Sequence, residues 1–286
     1  MTIYLYIYNL FLFMSFTIGA YGFISDDWKI KDYPVDLWLD WHTKLLDKIC
    51  LVTYGDAKLP IKKNVKIIEL GKYDTFDFSF YTKAETLAQH ELDTDWKILL
   101  DVDEFFKERP DFSRLDPKKT YAIKMHNLYG NLQTEIRGYF PDYYWVIHTG
   151  LKKVLGDGGT VSGPYYAKIE PKNAIKYFAW RYLKLGKHVS PLIPLTSFDI
   201  FHTGTVRRPD ALSKKWKFQT EIEIKEGYKD NKNRLQLLNE PFNYHDFKKI
   251  DEKNYLVKIN MDTLPNILVE NKTRFWYADF SEDEYN

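Results

Sequence analysis

The sequence predicts an α/β protein with a mostly parallel central sheet flanked by helices and a helical extension towards the C-terminus. Three observations carry this. Short apolar runs of strand length alternate with longer stretches of helical spacing, an order that builds right-handed crossovers and a parallel sheet. The central run, Ile98–Leu100 within WKILLDVDEFF (Trp96–Phe106), is apolar without alternation, as in a strand buried on both faces. It stops abruptly at Asp101, Asp103 and Glu104, which places carboxylates where the carboxyl end of a core strand opens into a ligand crevice. A chain of 286 residues can bury such a core as one domain with an appended segment.

The elements follow in chain order. Thr2 to Ser25 carry no charge, and the run is long enough to span a bilayer. A signal peptide needs a basic start, which this run lacks. Tyr4, Tyr6 and Tyr8 alternate with Ile3, Leu5 and Ile7, a period of two that belongs to strands. Buried strands and a membrane anchor both remain open on hydropathy. The expected location is cytoplasmic, with membrane association through this terminus as the alternative. Pro34 suits a first helical turn, and Val35, Leu37, Trp38, Trp41, Leu45 and Leu46 continue at helical spacing. Ile49–Val52 reads as a strand closed by Tyr54-Gly55-Asp56, and Val65–Leu70 as the next. A helix over Thr82–Leu92 leads into the central run.

Beyond that run, Arg109–Lys119 is a polar, proline-containing connection, and Tyr121–Leu128 is a strand. Tyr139, Phe140, Tyr143, Tyr144 and Trp145 could stack on sugar rings or fill a core. Gly156–Gly159 is a turn. Ser197–Phe201 alternates as a strand does and ends at His202, and Pro209 opens a long polar helix reaching towards Leu238. Arg207 and Arg208 thus precede a helix start, where main-chain donors and the dipole favour anions. Tyr255–Val257 and Leu264-Pro265 punctuate the next segment, and the acidic tail after Phe280 is expected to fray.

Forty-one basic against forty acidic residues leave a net charge of +1, so no bulk field attracts nucleic acid. The single cysteine, Cys50, is expected as a buried thiol in the second strand. One cysteine excludes an intrachain disulfide and a multi-cysteine metal site, in keeping with a reducing compartment. The acidic cluster has two readings. Acids packed this closely repel one another, and a hard divalent cation would let them all stay ionised. Alternatively Asp101 or Asp103 caps the turn that follows.

TDWKILLDVDEF (Thr94–Phe105) resembles the "DW-x-L-x-LDADE-F" stretch of family 2 glycosyltransferases of the GT-A, Rossmann-like fold, where it is the D-x-D motif. DIFHTGTVRRPDALSKKW (Asp199–Trp216) resembles the "I-Y-H-Y-G-W-V-R-P-P-E-x-M-x-x-K" segment of one group within that family. YAIKMHNLYGN (Tyr121–Asn131) is similar to its "Y-x-HF-Y-G-S" stretch, and weaker likeness runs from about Phe13 to about Leu268.

The resemblance implies a metal-dependent inverting glycosyltransferase. It would move a sugar from a UDP- or GDP-linked donor to a hydroxyl of a glycan, lipid or protein. By the same resemblance Asp103 is the direct Mn2+ or Mg2+ ligand, and Asp101 holds the ribose or metal-bound water. His202 is a further metal ligand, and as an imidazole it favours manganese. Arg207 clamps the diphosphate, Asp56 contacts the base or ribose, Lys83 lies near the nucleotide, and His126 sits beside the reaction centre. The chain departs from its relatives at Ser162-Gly163-Pro164-Tyr165, where many carry an acid next to an aromatic. The catalytic base therefore falls to Asp157, the nearest acid in sequence.

The implied organisation is an apolar extension or strand over 1–12 and a transferase domain over 13–270. The domain divides into a nucleotide half (13–106), an acceptor half (107–240) and a closing segment (241–270), followed by an acidic tail (271–286). Two other readings stay open. A nucleotidyltransferase also uses an acid pair, but it needs a glycine-rich basic phosphate loop that Gly19–Ile30 does not offer. A non-catalytic sugar- or nucleotide-binding protein of the same fold is kept open by the missing acid near Ser162.

Overall fold

The computed structural model describes residues 16–71, 78–113, 115, 120–137, 143–148, 192–225, 242–250 and 254–285. Its first half is β1 (Ile18–Ser25), α1 (Val35–Leu45), β2 (Lys48–Tyr54), β3 (Val65–Glu69), α2 (Phe78–Glu91), β4 (Trp96–Leu99) and β5 (Glu104–Phe106). The second half is β6 (Thr120–Tyr129), β7 (Asn131–Arg137), β8 (Tyr143–His148), β9 (Leu192–Thr205), α3 (Pro209–Lys225), α4 (Phe247–Ile250), β10 (Tyr255–Lys258) and α5 (Asn266–Glu270).

Four strands form the predicted parallel sheet in the order β4-β1-β2-β3, with Ala20 of β1 facing Ile98 on one side and Ile49 on the other. The chain leaves β1 for β2 on one side and reaches β4 on the other, so the crevice outside the carboxyl ends of β1 and β4 is the topological switch point. Beyond β4 the sheet becomes antiparallel: β8 pairs β4, β6 pairs β8, β7 pairs β6, and β10 closes the edge against β7. β9 returns parallel to β6 and carries β5 antiparallel on itself. The sheet is therefore mixed, with its parallel part on the side that the switch point needs.

The second half of the uncharged N-terminal run is strand β1, buried along most of its length. Gly22 is required there, because a Cβ would lie 2.7 Å from the Leu100 carbonyl oxygen. The glycines of this run thus serve close strand packing. Among the described residues no helix is long and apolar enough to cross a membrane. Residues 2–15 lie outside the described set.

One sheet face is covered by α1, which buries Val35, Trp38, Leu39 and His42 at helical spacing. α2 uses small residues, Ala84 and Ala88, with Leu92, to approach Tyr21, Cys50 and Val52. Cys50 is buried, as expected, and burial pushes its thiol up to about 11. The tail does not fray. Phe275 is buried, Phe280 and Tyr285 pack against Tyr129 and its ring cluster, and Ser281 and Glu284 close a capping box. Tyr285 also meets Thr134 hydroxyl to hydroxyl at 2.7 Å. Aromatic residues spaced through the acidic stretch outweigh its charge.

Candidate functional site

The acidic loop is fixed by its main chain before any side chain matters. The Glu104 amide donates to the Asp101 carbonyl at 3.0 Å, making a turn that feeds directly into β5. β5 is then held by α1: Trp38 Nε1 donates to the Glu104 carbonyl at 2.9 Å and Trp41 Nε1 to the Phe106 carbonyl at 2.7 Å. The Phe106 amide approaches His42 Nε2 at 3.4 Å, and His42 Nδ1 lies 3.0 Å from the Trp38 carbonyl. Burial pulls His42 down to about 3, so the ring is neutral, with Nδ1 as donor and Nε2 as acceptor. The only sequence sign of this role was a histidine four residues after Trp38 on the apolar face.

Asp103 and Glu104 are both buried, 1% and 2% exposed, and they ionise in opposite senses. Burial opposes charge on Asp103, but Lys215, His202 and Arg207 together outweigh it and hold the carboxyl well below its usual range. Its Oδ2 meets Arg207 Nη2, with Lys215 Nζ at 3.3 Å and His202 Nε2 at 3.6 Å. Burial, then the charges of Asp101 and Asp103, push Glu104 well above the carboxylate range, and its Oε2 accepts the Asp101 amide at 2.8 Å. The carboxyls are therefore held unequally, Asp103 well below the usual range and Glu104 well above it, with Asp101 half-buried beside them.

Two distant sequence segments meet at this point. β5 and β9 pair with Glu104 opposite His202, while Thr203 donates to the Asp103 carbonyl from its amide at 2.7 Å and its hydroxyl at 2.9 Å. His202 lies within β9 rather than at its end, since the strand continues to Thr205. Its Nδ1 donates to Asn127 Oδ1 at 2.9 Å, which leaves Nε2 facing Asp103. Gly204 makes room for this ring, because a Cβ there would lie 2.1 Å from His202 Nε2.

Arg207 does not stand at the surface as a diphosphate clamp would. It is 1% exposed, its Nη1 donates to the Lys31 carbonyl at 2.8 Å, and its guanidinium lies 3.6 Å over the Tyr33 ring. Both amino groups are thus occupied, and its reach is to Asp103. A partly exposed cation at the cluster is Lys215, in the second turn of α3, a lysine whose place in the Asp199–Trp216 motif is its one sign in the sequence.

The other expected residues are placed as follows. Asp56 is exposed in the bend after β2, on the carboxyl-end side of the parallel sheet. Gly55 before it has φ +74°, and a Cβ would strike Asp26, so the loops after β1 and β2 are in close contact. α2 begins at Phe78 rather than near Thr82, so Lys83 sits in its second turn, exposed. His126 neighbours Asn127 on β6 and therefore projects to the opposite sheet face, away from Asp103. There it stacks on Phe201 at 4.9 Å and lies between Glu135 at 3.1 Å and Asp199 at 3.5 Å. Burial opposes its charge, but Asp199 and Glu135 raise its pKa. Asp157 and Ser162–Tyr165 lie outside the described residues. Among the described residues no three His, Cys, Asp or Glu side chains converge to hold a metal ion.

No protein-family model matches the chain, and no curated protein sequence matches it. Solved structures with some similarity include TarS from S. aureus, at TM-score 0.33 and 9% identity over 73% of this chain and 39% of that one. TarS 1–349 in complex with UDP gives TM-score 0.34 and 10% identity, covering 77% of this chain and 70% of that one. A putative glucose-1-phosphate thymidylyltransferase from Bacillus anthracis gives TM-score 0.32 and 12% identity, covering 66% of this chain and 91% of that one. The chain spans 39% of the length of the full TarS chain. Overlaps this shallow say nothing about chemistry, so the functional case rests on the residues described above.

Proposed function

We propose that this chain is a metal-dependent inverting glycosyltransferase that moves a sugar from a nucleotide-diphosphate donor to a hydroxyl acceptor. The observation that carries the reading is the meeting of two remote motifs at one carboxylate. Asp103 from the loop after β4 and His202 from β9 lie 3.6 Å apart, outside the carboxyl end of a strand that flanks the switch point.

Two protein groups suit a divalent cation. The Asp103 carboxyl is held well below its usual range, and the contact of Nδ1 with Asn127 orients the His202 ring with Nε2 towards Asp103. Asp101, two residues before Asp103, takes the ribose or a metal-bound water. A cation that binds with a nucleotide needs only one or two carboxylates, because the donor's phosphate oxygens fill its remaining positions. Asp103 and His202 would be the protein's direct ligands to Mn2+ or Mg2+, and the ion would supply neutralisation of the charge that builds on the departing diphosphate.

The chain's other groups have positioning tasks. Arg207 holds the Asp103 carboxylate in one orientation from below, and Lys215 brings a second positive charge to the crevice. Asp56 and Lys83 are assigned to the base or ribose and to the nucleotide's approach. The acceptor hydroxyl gives its proton to Asp157 as it attacks the anomeric carbon, and a single displacement inverts that centre.

The test is calorimetric titration of UDP and of GDP, with and without Mn2+, into the wild type, Asp101→Asn and His202→Gln. Both substituted side chains are partly exposed, so the fold should survive. Metal-dependent binding that both substitutions weaken at least tenfold is expected. Absence of binding of either nucleotide in the presence of Mn2+, or binding indifferent to both substitutions, overturns the assignment.

A further inference from the structure

A cleft of about 510 Å³ opens between the segment Phe242–His245 and the segment Trp276–Asp279, with Pro209 also lining it. Its size falls within the range of small-molecule sites. Both walls are anchored to the same place. Tyr277 and Ala278 donate their amides to the Gly130 carbonyl at 2.8 and 3.1 Å, and Asn131 Nδ2 donates to the Ala278 carbonyl at 2.7 Å. On the other wall Tyr244 packs edge-on against the buried Tyr129 ring at 5.2 Å and against Phe242 at 4.9 Å. The cleft is therefore set by the β6–β7 turn and a buried ring cluster, and it is formed before any ligand arrives.

The lining chemistry selects a ligand class. Phe242, Trp276 and Tyr277 contribute half-buried aromatic rings, while Asn243, His245 and Asp279 contribute polar groups at the rim. Asn243 Oδ1 caps the His245 amide at 3.2 Å, which turns the amide nitrogen into its remaining donor. Asp279 Oδ1 holds the Trp276 indole at 2.7 Å and so fixes the ring's orientation. Among the described residues no lysine or arginine lines the cleft, and the one carboxylate of that lining disfavours phosphates and other anions. A neutral ligand with apolar faces and a hydroxylated edge fits such a lining: ring faces meet aromatic side chains, and hydroxyls meet amide, imidazole and carboxylate.

We propose that this cleft binds a neutral saccharide, and that it is the subsite which holds the acceptor glycan. The acceptor role rests on the function proposed above, whereas saccharide binding does not. The cleft is coupled to the donor side through Tyr244, whose hydroxyl accepts the Arg207 amide at 3.1 Å and donates to the Arg207 carbonyl. Tyr277 contributes a second link, donating its hydroxyl to Asp32 at 3.2 Å, and Lys31 beside Asp32 accepts Arg207 Nη1. Hydrogen bonds thus link the cleft's lining to Arg207, which pairs with Asp103.

The experiment is saturation-transfer NMR on the full chain with maltose, lactose, cellobiose and N,N′-diacetylchitobiose. Trp276→Ala and Asp279→Ala serve as the cleft variants, each confirmed folded by its melting curve. At least one disaccharide should show transfer in the wild type, and both variants should weaken it at least tenfold while Mn2+-dependent UDP or GDP binding is unchanged. No transfer from any of the four, or transfer that both folded variants retain, overturns the proposal. Disaccharide binding without any nucleotide binding leaves the saccharide site standing and removes its acceptor role.

Discussion

Replacing Arg207 with methionine tests whether this side chain holds Asp103 or grips a donor. Arg207 is buried against a buried carboxylate, so its removal leaves Asp103 charged and short of a partner, a change that costs about 3–5 kcal/mol. Lys215 remains 3.3 Å from the same oxygen and pulls the figure towards the lower end. Loss of the hydrogen bond to the Lys31 carbonyl and of the stacking on Tyr33 adds about 1 kcal/mol each. The sum is ~5 kcal/mol, or roughly 10 °C in melting temperature for a chain of this size. Urea unfolding of Arg207→Met, Asp103→Asn and the double variant measures both the loss and the coupling. The double variant should be more stable than the sum of the singles predicts by at least ~2 kcal/mol. If Arg207→Met melts within about 2 °C of the wild type, or the two losses simply add, then Arg207 is no structural partner of Asp103 and a direct contact with the donor becomes the better account.

Two predictions concern pH. The Glu104 carboxyl titrates higher in the folded chain than in the unfolded one, so its contribution to stability is full below the unfolded value of about 4.3 and is lost as pH rises through the folded value, at up to ~1.4 kcal/mol per pH unit. Glu104→Gln keeps an oxygen for the Asp101 amide and should gain on the wild type between pH 5 and pH 8; parallel stability profiles would count against the neutral acid. His42 behaves in the opposite sense. Its folded value of about 3 lies below the unfolded 6.5, so the unfolded chain binds more protons in between and stability declines as pH falls through that window. His42→Gln should be about 1–2 kcal/mol less stable at pH 7 but flatter in acid, and an unchanged acid slope in urea midpoints would refute the buried neutral ring.

The parallel half of the fold was legible because its signals are local. β1 to β4 are short stretches rich in apolar residues, and Pro34 marks the α1 start to within a residue. The antiparallel half was less so. β5 is three residues long, and what makes it a strand is pairing with β9, ninety-odd positions away and invisible to any periodicity. Asp101, Asp103, His202 and Arg207 stood out as residue types in motifs, but their division of labour did not. Whether an arginine faces solvent or lies under a carboxylate is a tertiary fact. So is the side of a strand to which His126 points, and a one-residue offset from Asn127 sends it to the other face of the sheet.

The bonds from α1 to β5 bear on solubility as well as on the position of the acids. Among the described residues β5 pairs with β9 alone, so its outer edge would present unpaired carbonyls that could template another chain. Two indole N–H groups occupy those carbonyls, at Glu104 and Phe106, and an imidazole nitrogen takes the Phe106 amide between them. A helix thereby stands in for the missing neighbour strand. Variants that remove Trp38 or Trp41 would uncover an adhesive edge beside the acidic loop, with self-association as the outcome alongside any loss of stability.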